Sequence, residues 1–181
     1  MAIKTQGTEI FVLIGDPNDL DKKMVVEIEC PVDFSLGDDT TDEIEVTCLS
    51  ERDSKSFIDG LITPGKGSLL VNLDSKNNSH RLLYNLSKLK ATVKWAVGLS
   101  DGETKATVNS AGTDFELSSD RTWITFDASV GAFPFDFTAN NVVKTSCPLT
   151  RSGRGELIWK EDEAEGEGTE GEGTEGEGTE G

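Results

Sequence analysis

Histidine is almost missing from this chain: His80 is the only one in 181 residues. The three cysteines, Cys30, Cys48 and Cys147, form no C-x-x-C pair, so a zinc-type site has no ligand set to draw on. They sit in strand-like contexts, where small buried hydrophobes are expected rather than disulfide or metal partners. No apolar run approaches the length of a membrane span, which argues against membrane insertion. The opening MAIKTQGTEIF lacks the apolar stretch of a signal peptide, which predicts a protein kept in a cytoplasm. Bases are scarce, 17 against 34 acids for a net charge of −17. A surface of this kind cannot displace counterions from phosphates as nucleic-acid grips do. No G-x-S-x-G and no Ser-His-Asp ordering supports a nucleophile. Nothing requires a cofactor, and no enzyme constellation is present.

The negative charge is uneven. Residues 161–181 hold ten acids and no base, which leaves 24 acids against 17 bases in residues 1–160. The tail repeats EGEGT three times from Glu165 and has no apolar residue after Ala164. Such a segment buries too little surface to offset the entropy of ordering, so disorder is expected over 161–181. Residues 1–160 are expected to form one domain.

That body alternates apolar and polar residues with period two, the pattern of half-buried strands. Strands are predicted at 8–14, 24–30, 43–49, 68–74, 92–99, 123–130, 133–137, 141–147 and 156–160. Residues 24–49 read as one long-tipped hairpin, its return strand placing Ile44, Val46 and Cys48 toward the core and Glu43, Glu45 and Thr47 outward. Residues 79–90 place Leu82, Leu83, Leu86 and Leu89 at helical spacing, with Asn78 or Ser79 as N-cap and Lys88 and Lys90 in the last turn. His80 is expected on that helix as a surface or half-buried residue. The predicted fold is mainly β: a sandwich or barrel of two packed sheets, one flanking helix and a disordered C-terminal tail.

One segment imitates chemistry. Residues 60–67, GLITPGKG, approach the phosphate-binding G-x-x-x-x-G-K-[ST], but Gly67 replaces the hydroxyl residue and a strand follows instead of a helix. A turn is the physical reading. The acidic pairs Asp38-Asp39 and Asp42-Glu43 lack the oxygen spacing of a calcium loop and read as a solvated surface.

The order of these pieces resembles the major tail tube protein of long-tailed bacteriophages, the lambda-like tail tube family. The resemblance rests on GTEIFV at 7–12, the IEVTC return strand, FIDGL and PGKGSLLV, the single helix at 79–90, the FPF run at 133–135 and VVKTSCPLTRSG at 142–153. It covers nearly all of 1–160. The EGEGT tail departs from the family pattern, in which some relatives carry a separate C-terminal surface domain.

The resemblance implies a structural virion protein, not an enzyme. Its subunits would form hexameric rings stacked into a hollow tube that delivers phage DNA into the host. Implied partners are further copies of the chain, a tape measure protein in the lumen, tail tip and tail terminator proteins, and DNA as passing cargo that is not tightly bound. Assembly would take place in host cytoplasm and the product would reside in the virion tail. Glu27, Glu29, Glu43 and Glu45 are candidates to line the lumen, where negative walls would keep DNA from sticking. The candidate ring-stacking loop is Asp33, Phe34, Ser35, Leu36, Gly37, Asp38, Asp39 and Asp42, longer than a usual hairpin connection. Two alternatives stay open: a β-sandwich binding module of a virion surface or adhesin, which would want an aromatic platform from Trp95, Trp123 and Trp159, and a type VI-like secretion tube subunit.

Overall fold

Trp95 and Val97 face one way from their strand and Ala96 the other, and all three are buried. A strand covered on both faces needs layers on both sides, and the topology supplies them. The computed structural model describes residues 2–17 and 19–161. Of the tail expected to be disordered, 161–181, residues 162–181 lie outside the described residues.

The chain runs β1 (Glu9–Asp16), β2 (Asp19–Ile28), β3 (Pro31–Ser35), β4 (Thr40–Glu45), β5 (Phe57–Thr63) and β6 (Lys66–Asn72). It continues through α1 (Asn78–Leu89), β7 (Thr92–Gly98), β8 (Thr107–Val108), β9 (Phe115–Glu116), β10 (Trp123–Val130) and β11 (Lys144–Ile158). Seven strands form one antiparallel sheet in the order β2-β1-β7-β10-β11-β6-β3. Its edge strands β2 and β3 are consecutive in the chain and joined only by Glu29 and Cys30. Two residues cannot cross an open sheet of this width, so the sheet curls until its edges approach. The edges do not pair, and the curl stays open. Cys30 makes the corner at φ 53°.

Inside the curl lie Ile10, Val12, Leu69, Val71, Trp95, Val97, Phe126, Ala128 and Leu149. Leu83 and Leu86 insert from α1 into this core, each contributing about 1.5–3 kcal/mol by burial. On the outer face Phe11, Ala96 and Trp123 pack with Ala106, Phe115 and Leu117 from the segment carrying the β8–β9 pair. The mainly β, single-helix expectation therefore holds, with the sandwich taking the form of one curled sheet and a small outer flap.

Several local expectations need correction. The hairpin over 24–49 does not exist. β2 pairs with β1 across a short turn, and β4 pairs with β5. Residues 31–35, expected as loop, are β3, whose partner is β6. Residues 57–61, outside every predicted strand, begin β5. Residues 133–137 make only the bridge Asp136↔Lys144. The strands expected at 141–147 and 156–160 are parts of the 15-residue β11. Residues 153–155 bulge opposite Phe126, with Gly153 at φ 80°, where the register slips between Thr125 and Asp127 of β10. Cys147 is buried as expected, but Cys30 and Cys48 are exposed, Cys30 at a corner and Cys48 beyond the end of β4. Trp95 and Trp123 are wholly buried, so they build no aromatic platform with the exposed Trp159.

The helix N-cap is Asn77, one residue earlier than expected, its side chain accepting from Ser79 N–H at 2.8 Å. His80 is fully buried rather than at the surface. Its Nδ1 accepts from Asp74 N–H at 3.0 Å and its Nε2 lies 3.1 Å from the Glu29 carbonyl. A ring nitrogen that accepts carries no proton, so Nε2 is the donor to the Glu29 carbonyl. His80 thus ties the β2–β3 corner to the start of α1.

Candidate assembly surface

The chain leaves the main sheet after β3 and returns at β6, and between them it builds a separate two-stranded sheet, β4–β5. Its root is held tightly. The Asp39 carboxylate accepts from Gly65 N–H at 3.1 Å and from the guanidinium of Arg151, whose Nε also donates to Gly65 carbonyl at 3.1 Å. Arg151 is buried, while the Asp39 carboxylate stays partly open to solvent. Gly65 is required by close approach: a Cβ there would lie 2.4 Å from the Asp38 carbonyl oxygen.

Beyond the root the hairpin is bare. Register pairs Ile44 with Ile58, Glu45 with Phe57 and Thr41 with Ile62. Ile44, Val46, Phe57, Ile58, Ile62 and Leu61 are all exposed, Leu61 to 84%. The apolar residues occupy both faces, and the expected burial of Ile44 and Val46 in the core is overturned because no layer lies against this sheet. An isolated two-stranded sheet is marginal in water, and an exposed apolar edge templates pairing with another chain. Covering this surface would remove exposed apolar area from water.

The candidate stacking residues divide between two elements. Asp33, Phe34 and Ser35 belong to β3, with Phe34 packed 6.0 Å from Phe126 between ring centroids. Leu36, Gly37, Asp38 and Asp39 form the root, and Asp42 lies on β4. They are the foundation of the projection rather than its tip.

The four candidate lumen acids are not gathered together. Glu27 pairs with Lys105 at 2.6 Å on the sheet, and this hydrogen bond holds the lysine above its usual range. Glu29 accepts from the Asn77 side chain at 2.8 Å, beside the helix cap. Glu43 and Glu45 stand on the hairpin, where Glu45 pairs with Lys55 at 3.0 Å. Of the groups that organise the structure most strongly, Arg121 and Arg151 were not singled out by sequence, and His80 was placed on the helix without its buried role. A buried arginine announces itself only through partners distant in the chain.

Among the described residues no group of three or more His, Cys, Asp or Glu side chains is placed to hold a metal ion. None of their helices is long and apolar enough to cross a membrane.

Residues 1–161 match the family described as phage tail tube, TTP, lambda-like. The chain belongs to this tail tube family. It is a structural subunit of a phage tail, and its place is the virion. This tail tube protein is 35% identical over 161 residues to Structural protein 3 of Pseudomonas phage PAJU2, covering 87% of this chain and 94% of the relative. Its fold is similar to that of the SPP1 tail tube, with TM-score 0.58, 9% identity and coverage of 89% and 81% of the two chains. It is also similar to the tail of an empty GTA particle, with TM-score 0.55, 7% identity and coverage of 87% and 99%.

Proposed function

We propose that this tail tube protein assembles into hexameric rings that stack into the hollow tube through which phage DNA passes. The observation that carries the reading is the β4–β5 hairpin, a projecting sheet with apolar residues exposed on both faces. In a ring, the free edges β2 and β3 can pair with neighbouring copies, and a closed ring leaves no heterologous edge open. The GTA tail, similar in fold, was refined with six-fold symmetry. Residues 1–160 are the tube-building unit and 161–181 a separate acidic tail. The chain is read as non-enzymatic. A tape measure protein in the lumen, tail tip and terminator proteins at the ends, and host cytoplasm as the place of assembly complete the proposal.

Ring stacking is assigned to the projection rooted at Asp33–Asp39 and continuing through Asp42. Negative-stain microscopy of purified protein tests this. Wild-type chain gives six-fold rings or tubes. A chain with residues 40–63 replaced by a short Gly-Ser link remains folded and gives no tubes. Normal tubes from the shortened chain would overturn the assignment.

Some of Glu27, Glu29, Glu43 and Glu45 are proposed to face the lumen, where their charge would repel phosphates. Three of them already have polar partners in the subunit: Glu27 and Glu45 in ion pairs with lysines, and Glu29 with the Asn77 amide. Replacing all four with Lys should slow DNA ejection; unchanged ejection would remove the lumen assignment.

A further inference from the structure

Two surfaces of this chain are incomplete in complementary ways, and they lie at opposite ends of one strand. The first is the hairpin. Residues 38–63 contain eight acids and two bases. Glu43 and Asp59 are cross-strand partners in register, like charges facing each other on one side of the hairpin. Among the described residues neither has an ion-pair partner.

The second surface is formed by α1 and the segment after β10. Residues 75–94 hold five bases and no acid, in a chain with twice as many acids as bases. Arg81, Lys88 and Lys90 have no carboxylate partner among the described residues; Arg81 donates to the Ser75 carbonyl and Lys88 lies 4.3 Å from the Tyr84 ring centroid. Beside them runs an aromatic row. Tyr84 meets Phe133 at 5.6 Å between centroids, Phe133 meets Phe135 at 5.5 Å, and Phe135 meets Phe137 at 6.2 Å. The row starts half-buried at Phe133 and ends with Phe137 at 77% exposure. An apolar cleft of about 250 Å³ opens between Leu73, Tyr84, Phe133 and Phe135. Exposed aromatics with a charged rim have the composition of an interface centre, not of a solvated surface.

β6 separates the two. The hairpin feeds into β6 at Lys66, and α1 follows its far end at Asn72. The aromatic row is tied to that far end, because Lys144 pairs both with Asn72 and with Asp136. Seven residues of strand place the ends about 20 Å apart. One chain therefore presents the acidic apolar hairpin at one end and the cationic aromatic face at the other. Two copies related head to tail bring them together, and repetition of that contact is open-ended, as a tube requires.

We infer that the β4–β5 hairpin of one subunit seats on the α1 and 133–137 face of the next subunit along the tube, with Glu43 and Asp59 meeting Arg81 and Lys88 around the aromatic row. This rests on the tail tube reading above and names the receiving surface for the hairpin.

The test uses the full chain. Arg81→Glu with Lys88→Glu should leave a folded subunit, judged by circular dichroism, that forms no tubes. Glu43→Lys with Asp59→Lys should do the same. All four substitutions in one chain should restore tubes, because the pairing is then reversed on both sides. In parallel, hydrogen exchange of wild-type tubes against unassembled wild-type subunits should show new protection in both the hairpin and residues 131–143. Tubes from the Arg81→Glu, Lys88→Glu chain, or protection of the hairpin without protection of 131–143, would overturn the docking and leave the tail tube reading standing. Wild-type chain that forms neither rings nor tubes would overturn that reading and this inference together.

Discussion

The Arg121 guanidinium lies 2.6 Å from the Glu9 carboxylate across 112 residues of sequence. It also donates to the carbonyls of Leu99, Thr104, Gly7 and Gly98, at distances between 2.6 and 3.0 Å. The side chain is 1% exposed, and its five bonds match the five N–H groups that arginine offers. It fastens the start of β1 and the segment after β7 to the head of β10. Arg121→Leu would strand one carboxylate and four carbonyls, so a loss of about 3–5 kcal/mol is expected. Glu9→Gln should cost less, because the amide oxygen still accepts. Urea denaturation measures both, and equal losses would contradict this division of roles.

The same hub leaves no room at Gly98. A Cβ there would lie 2.6 Å from the Arg121 guanidinium carbon and 2.8 Å from the Trp123 ring. Both neighbours are buried, and the arginine is held by its bonds, so neither can yield cheaply. Gly98→Ala should therefore destabilise the subunit by about 1–3 kcal/mol, the range of core overpacking. A neutral result in thermal melting would mean that the Arg121 network shifts readily.

Much of the body was readable from alternation alone. Trp95 and Val97 share a phase because each strand residue points opposite to its neighbour, and they do share the core. Leu83 and Leu86 were legible for the same reason at helical period. Leu89, at the same spacing, is 73% exposed, because the helix ends at its C-cap Lys90 before any layer covers it. Alternation also marked Ile44 and Val46 as one apolar face. It could not say what covers that face, and in the single subunit nothing does. Strand pairing was the weakest point: β4 carries no local signal that excludes β2 as its partner, and the short β1–β2 connection decided the matter. The candidate site was legible as a region around Asp33–Asp42, while its clamp needed Arg151, which lies 112 residues from Asp39.

Cys147 has no exposed surface, and burial pushes its thiol up to about 11 from an ordinary 9.0. Cys30 and Cys48 are exposed. Native unassembled subunits should therefore present two reactive thiols to a disulfide reagent, and denatured ones three. The pH dependence has a definite sign. Between pH 9 and 11 the unfolded thiol ionises while the folded one stays protonated, so unfolding releases a proton. Stability should fall across that window by up to about 2–3 kcal/mol relative to a Cys147→Ala chain, in which the contribution is absent. Parallel curves for the two chains from pH 8 to 11 would refute it.

Arg151 sits where the projection meets the body, and its bonds to Asp39 and to the Gly65 carbonyl close the hairpin root from both strands. The hairpin has little else to fix its direction, since its own residues are exposed on both faces. Arg151→Met keeps the aliphatic bulk along β11 but removes both bonds, leaving the Asp39 carboxylate with only the Gly65 N–H. The main sheet should survive, while amides of β4 and β5 exchange faster and tubes form more slowly. Arg151→Lys should restore the charge at Asp39 without the second bond, giving an intermediate assembly rate, because a lysine cannot span carboxylate and carbonyl as a planar guanidinium does. Turbidity or light scattering during polymerisation reads the rate. If Arg151→Met assembles as fast as wild type while its hairpin amides exchange faster, the root would hold the hairpin in the free subunit without governing its docking.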